Sequence, residues 1–235
     1  MNYTSTNYRN IKNFSGARGI VSRMRSQSTE TRYNNIKSSS ILNSDSSSSL
    51  GSDSSIASLR NELKTYSKIA SDSASNMQTN GEKLVAEGEE SLFGNAAKSG
   101  NTKSIVSRAE DFVNDFNNMI SSLKKLGGDA NTEFVSQLGK YAEADSEALG
   151  KIGITVLKDG SLTMNQNILK EASLENLKAV FNGNDSFAAK VTDLSDDIEK
   201  NVEKKLQENL LILAKNSSTY SNASGTSGSY YNKYV

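Results

Sequence analysis

Apolar residues along this chain fall into periodic blocks separated by polar or glycine-containing breaks. Ile56, Leu63, Ala70, Met77 and Leu84 recur every seventh position, and Leu59 and Tyr66 supply a companion seam. That spacing marks a helix burying one stripe against a partner helix. It predicts a coiled-coil helix over residues 56–93, weakened in the middle by Ser73 and Asn80. Gly81 is the expected point of a break and Gly94 the expected stop. The second block is cleaner. Ile105, Ala109, Phe112, Phe116, Ile120, Leu123 and Leu126 step by four and three, with Arg108, Asp111, Asp115 and Lys124 off the stripe. Gly127 and Gly128 then end the helix. A third helix is predicted over residues 131–149, with Phe134, Val135, Leu138, Tyr141, Ala142 and Leu149 apolar.

The period then changes. Ile152, Ile154 and Val156 alternate with Gly153 and Thr155, which is the two-residue repeat of a strand. Asp159-Gly160 is a turn signal, and residues 161–164 form the return strand of a small hairpin. Asn165 is placed to cap a short helix carrying Ile168, Leu169 and Ala172. Ser173 is placed to cap another carrying Leu174, Leu177, Val180 and Phe181, with Gly183 as its terminator. Asp185 or Ser186 caps a last helix of about 25 residues. Its stripe is Phe187, Val191, Leu194, Ile198, Val202, Leu206, Leu210 and Leu213.

The expected fold class is mainly α: long antiparallel helices in a bundle or coiled coil, one small β-hairpin, and Ser-rich disordered tails. The expected organisation is a basic, Ser-rich tail over residues 1–55 and a coiled-coil helix over 56–93. A helical domain follows over 101–215, with its hairpin at 152–164, then a loose tail over 216–235. A short helix is allowed near residues 20–24.

Composition narrows the chemistry. The 235 residues include no Pro, Cys, His or Trp. About 5% Pro is usual, and its absence favours uninterrupted helices. Without Cys or His there is no disulfide framework, no thiolate nucleophile and no Ser-His-Asp triad, and zinc loses its main ligands. The chain is read as a non-enzyme with no cofactor and no metal. Lys+Arg and Asp+Glu both number 27, but residues 1–43 carry seven basic groups and one acid. That basic tail is read as solvated, with no nucleic-acid partner. No stretch reads as a signal peptide or as a membrane span of ~20 apolar residues, so no stable membrane insertion is expected.

Several sharper readings give way to plainer ones. Residues 94–100 resemble a phosphate loop, but the glycine spacing is one too long and Asn101 replaces the Lys, so they read as a linker. Asn182-Gly183-Asn184-Asp185 lacks the closing Glu of a calcium loop and reads as a cap and turn. Asp196-Asp197 and Glu89-Glu90 are adjacent on helices and point apart, so they read as solvated charges. The glycosylation-like triplets beginning at Asn216 and Asn222, and Tyr230, Tyr231 and Tyr234, read as features of a polar tail.

An ordered run of motifs carries a family resemblance. Residues 112–117 (Phe-Val-Asn-Asp-Phe-Asn), 149–154 (Leu-Gly-Lys-Ile-Gly-Ile) and 158–165 (Lys-Asp-Gly-Ser-Leu-Thr-Met-Asn) lead it. Residues 169–172 (Leu-Lys-Glu-Ala), 180–183 (Val-Phe-Asn-Gly) and 187–191 (Phe-Ala-Ala-Lys-Val) complete it in order. This run resembles the C-terminal part of the flagellar filament-capping protein, hook-associated protein type 2, over a bit more than a third of the chain. Residues 14–16 and 20–24 faintly resemble that family's opening. The resemblance implies a structural protein exported through the flagellar channel without a cleaved signal peptide, acting outside the cell on the bacterial flagellum. Its implied partners are copies of itself, flagellin or hook-junction proteins. The chain has no room for the family's large β-rich insertions, so the expectation is a shortened relative. The alternative is a cytoplasmic coiled-coil adaptor or chaperone-like partner of flagellar proteins.

The residues expected to mediate assembly are Ile56, Leu63, Met77, Leu84, Phe112, Phe116, Ile198, Val202, Leu206 and Leu210. Those expected to define the fold motif are Ile152, Gly153, Ile154, Asp159, Gly160, Leu162, Phe181 and Gly183.

Overall fold

A computed structural model describes the backbone of residues 53–224 and the side chains of residues 56–214, together with the isolated residues Thr29 and Asn34. The elements are α1 (Asp53–Val85), α2 (Leu92–Ser99), α3 (Lys103–Leu126), α4 (Asp129–Ala144) and α5 (Ser146–Lys151). They continue with β1 (Ile154–Val156), β2 (Leu162–Met164), α6 (Gln166–Glu171), α7 (Leu174–Phe181) and α8 (Phe187–Ser224). The fold is mainly α with one two-stranded antiparallel sheet.

Cross-helix bonds give the packing order. Asn80 accepts from Arg108 at 2.8 Å and Asn76 donates to Asp115 at 3.4 Å, so α1 and α3 run antiparallel. Gln78 donates to Glu199 at 2.9 Å and Ser71 to Glu203 at 3.2 Å, so α8 also runs antiparallel to α1. Asp145 and Lys190 meet at 3.0 Å and Asn131 and Asn201 at 3.4 Å, setting α4 antiparallel to α8. With α4 folded back on α3 through Gly127 and Gly128, the four helices close into an up-and-down bundle. The order around it is α1, α3, α4, α8. One continuous apolar core runs through it and takes in residues of both the 56–93 and the 101–215 segments.

The seven-residue repeat is the line along which α1 seals. Ile56, Leu63, Ala70, Met77 and Leu84 are each at most 3% exposed. Ser73, expected to weaken the seam, is itself buried. Two boundaries differ from expectation. Gly81 stays helical, and it lies so close to Thr192 of α8 that a Cβ there would collide with the threonine hydroxyl. The break comes instead after Val85, and Ser91 opens α2 by accepting from the Gly94 N–H at 3.0 Å. Gly94 and the expected linker 94–100 therefore lie in α2 and its cap, not beyond a helix end. Phe93 and Ala96 are buried.

The third predicted helix is divided at Asp145 into α4 and α5. The last helix runs to Ser224, well past the expected 25 residues and into the segment expected to be a loose tail. The turn from α3 to α4 is level with Leu63 of α1 and Asn209 of α8, so the start of α1 and the end of α8 project beyond it. The short helix expected near residues 20–24 and the late tyrosines lie outside the described residues. Within the expected N-terminal tail, Thr29 is helical and 2% exposed.

Candidate functional site

The hairpin is the most specific local feature, and its sequence folds it for plain reasons. β1 and β2 pair with Ile154 opposite Met164 and Val156 opposite Leu162. The loop closes through Leu157 N–H to Ser161 O at 2.8 Å and Gly160 N–H to Leu157 O at 2.9 Å. Asp159 accepts from both the hydroxyl (2.6 Å) and the N–H (3.1 Å) of Ser161. These bonds, hydroxyl first, hold its carboxyl well below the ordinary value, at about 2, and Lys124 adds to the effect. Ile152, Ile154 and Leu162 point into the core. Gly153 (φ +81°) sits against Ile168, where a Cβ would be 2.7 Å from that residue's own Cβ. Asn165 caps α6 by accepting from Asn167 and Ile168 N–H groups, as its position predicts.

Two residues of α3 hold the hairpin onto the bundle. The Asn117 carboxamide donates to Leu162 O at 2.8 Å and accepts from Leu162 N–H at 2.7 Å. Lys124 Nζ donates to Asp159 O at 2.5 Å. Gly160 rests near Gly139 of α4 and Ile120 of α3, so the tip spans both helices. In the sequence, Asn117 stands out only as the last residue of the 112–117 motif. Its place beside the apolar stripe of α3 was the available signal.

Phe112 and Phe116 meet the residues that follow the hairpin. Phe112 lies 6.0 Å from both Phe181 and Phe187 in edge-to-face contacts, and Phe116 lies 5.7 Å from Phe187. Next to this cluster Asn182 donates to Leu84 O and Val85 O at the end of α1 and to Ala86 O just beyond it, the last at 2.8 Å. Gly183 (φ +87°) adds its N–H to Val85 O at 3.1 Å. Asn182 thus closes the C-terminal end of α1. Ser173 and Ser186 cap α7 and α8, settling the choice left open between Asp185 and Ser186.

The assembly candidates are mostly spent inside the chain. Ile56, Leu63, Met77, Leu84, Phe112, Phe116, Ile198 and Val202 are all buried in the bundle core. Only Leu206 and Leu210 retain partial exposure. Among the described residues, the large apolar side chains that face outward are Leu157 on the hairpin loop, Ile168 on α6, Leu211 on the projecting end of α8, and Ile69 on α1.

The α3–α4 end of the bundle holds a cavity of about 330 Å³. α1 contributes Leu63 and Ser67, the α3–α4 turn contributes Leu126 to Asn131, and α8 contributes Asn201, Lys205, Leu206 and Asn209. Nearby, the Thr29 hydroxyl lies 2.6 Å from Leu126 O and 3.0 Å from Lys125 O, at the end of α3. Nothing in the sequence pattern pointed to Thr29.

Burial raises the Asp115 carboxyl above its ordinary value, the Asn76 amide pulls it back, and neighbouring Asp111 adds to the rise. Asp196 pairs with Lys200 and Glu89 with Lys98 on exposed faces. Among the described residues no three His, Cys, Asp or Glu side chains gather as metal ligands. No helix among them is long and apolar enough to cross a membrane. The class these features define is an up-and-down helical bundle with a hairpin and two short helices inserted before its last long helix. No family model matches the chain, and neither a curated protein nor a solved structure is significantly similar to it.

Proposed function

We propose that this chain is a structural component of the bacterial flagellum, a shortened relative of the filament cap that works by assembly and not by catalysis. The observation that carries the reading is the hairpin between residues 149 and 165 and its place in the ordered run of motifs. Plain helix in that segment would have removed the basis of the likeness. Further support comes from the way those motifs meet: Asn117 grips Leu162, and Phe112 packs on Phe181 and Phe187. These motif residues are thus in mutual contact within the fold.

In this reading the protein leaves through the flagellar channel and meets copies of itself, flagellin or hook-junction proteins through its outer faces. The test is export. A tagged chain should be found in the medium or on filaments of a flagellated host and stay inside an otherwise identical strain lacking the flagellar export gate. Equal release from both strains would overturn the reading.

A cytoplasmic adaptor is the second reading, favoured by the burial of eight of the ten expected assembly residues within one chain. That burial leaves fewer apolar seams for polymerisation. An adaptor would stay in the cytoplasm of both strains and co-purify there with a flagellar protein.

A further inference from the structure

We infer that the cavity at the α3–α4 end of the bundle is a binding site for a small carboxylate carrying a short apolar group. Two side chains in it are unusual. Ser67 is 3% exposed and Asn209 is 9% exposed. Both line the cavity, and among the described residues neither side chain meets a hydrogen-bond partner. Buried polar groups in folded proteins are nearly always paired, so two facing one hollow call for a polar occupant.

The third observation is the start of α4. The first N–H groups of a helix have no acceptor within it. Gly128, at the cap position, brings no side chain to meet them. Asn131, in the first turn, turns its amide back to Gly127 O at 2.8 Å. The free N–H groups of this 16-residue helix therefore lie in the cavity wall with the positive end of its dipole. Lys205 stands on the opposite wall, where it also pairs with Glu208 at 3.1 Å.

The ligand class follows from the mixture. Uncapped amides and one ammonium favour an oxyanion, and Asn209 and Ser67 supply further donors. Leu63, Leu126 and Leu206 offer an apolar wall that a bare ion would leave unfilled. Asp129 sits exposed at the rim and disfavours a dianion more than a monoanion. One lysine set against that acid points to carboxylate and away from phosphate. The volume admits a ligand of a few heavy atoms and excludes a folded partner.

The experiment titrates the full chain with isovalerate, with isovaleramide as its neutral counterpart, and with inorganic phosphate, following backbone and side-chain amide resonances. Isovalerate should shift Ala130, Asn131 and the Asn209 carboxamide saturably in the millimolar range. Isovaleramide should bind about tenfold more weakly, and phosphate should leave these resonances in place. Asn209→Leu should remove the carboxamide donor, keep the fold and abolish the isovalerate response. Lys205→Gln, on an exposed side chain, should weaken isovalerate about tenfold and leave isovaleramide unchanged. The inference fails if isovalerate gives no saturable shift, if the amide binds as well as the acid, if phosphate binds better than isovalerate, or if Asn209→Leu binds isovalerate normally.

Discussion

A few single residues set the geometry of this protein, and each can be tested alone. Gly81 is one. In an exposed helix a Gly→Ala change gains about 1 kcal/mol. Here the new methyl would meet Thr192. Overpacking of a tight contact costs about 1–3 kcal/mol, so Gly81→Ala should lower stability in urea titration despite the better propensity. The Thr192 hydroxyl is buried without a partner. Thr192→Ala should therefore cost little, and the double variant should recover most of the loss, a coupling that a double-mutant cycle reads directly.

Asn117 is another such residue. Asn117→Ala strips both bonds from the Leu162 backbone. It should cost about 1–3 kcal/mol and speed hydrogen exchange of the hairpin amides more than those of α8. Asp159 gives a pH signature. Its carboxyl falls from an ordinary 3.8 to about 2. An acid held down in the fold stabilises it above the ordinary value, and that contribution is lost as pH drops through about 2. Hairpin amide protection should therefore fall between pH 3.8 and 2, and the fall should vanish in Asp159→Asn.

At the scale of elements, legibility followed periodicity. α3 carries an unbroken apolar stripe closed by two glycines, and its observed bounds match the reading. The hairpin was legible because alternation over residues 152–156 and the Asp159-Gly160 turn agree with each other. The caps at Asn165 and Ser173 were legible for the same local reason. What the pattern misplaced were boundaries decided by distant contacts. Gly81 has the propensity of a breaker but sits at a close helix crossing. The true end of α1 is held by Asn182, 97 positions from Val85. Asn182→Ala should therefore fray the last turn of α1, seen as faster exchange at residues 82–85, with about 1 kcal/mol lost overall. The cavity was illegible for a related reason. Its wall joins Ser67, Asn131 and Asn209, which no local repeat connects.

For the whole molecule, the main lesson is where the apolar stripes go. The seven-residue repeat predicts a helix that buries its stripe on a partner helix. α1 is enclosed by α3 and α8 of its own chain, and its seven-residue seam is buried there. Folding should therefore be unimolecular. The urea midpoint should not move with protein concentration, whereas a chain folding only as a coiled-coil oligomer would show a midpoint rising with it. Assembly, where it occurs, falls to outward features such as Leu157, Ile168 and Leu211. The Asn117 clamp bears on the same question from another side. A two-stranded ribbon leaves main-chain groups facing outward, a template on which foreign strands can add. By occupying both groups of Leu162, the asparagine acts as a false neighbouring strand one residue long. At that residue the ribbon's margin is thereby closed to a foreign strand.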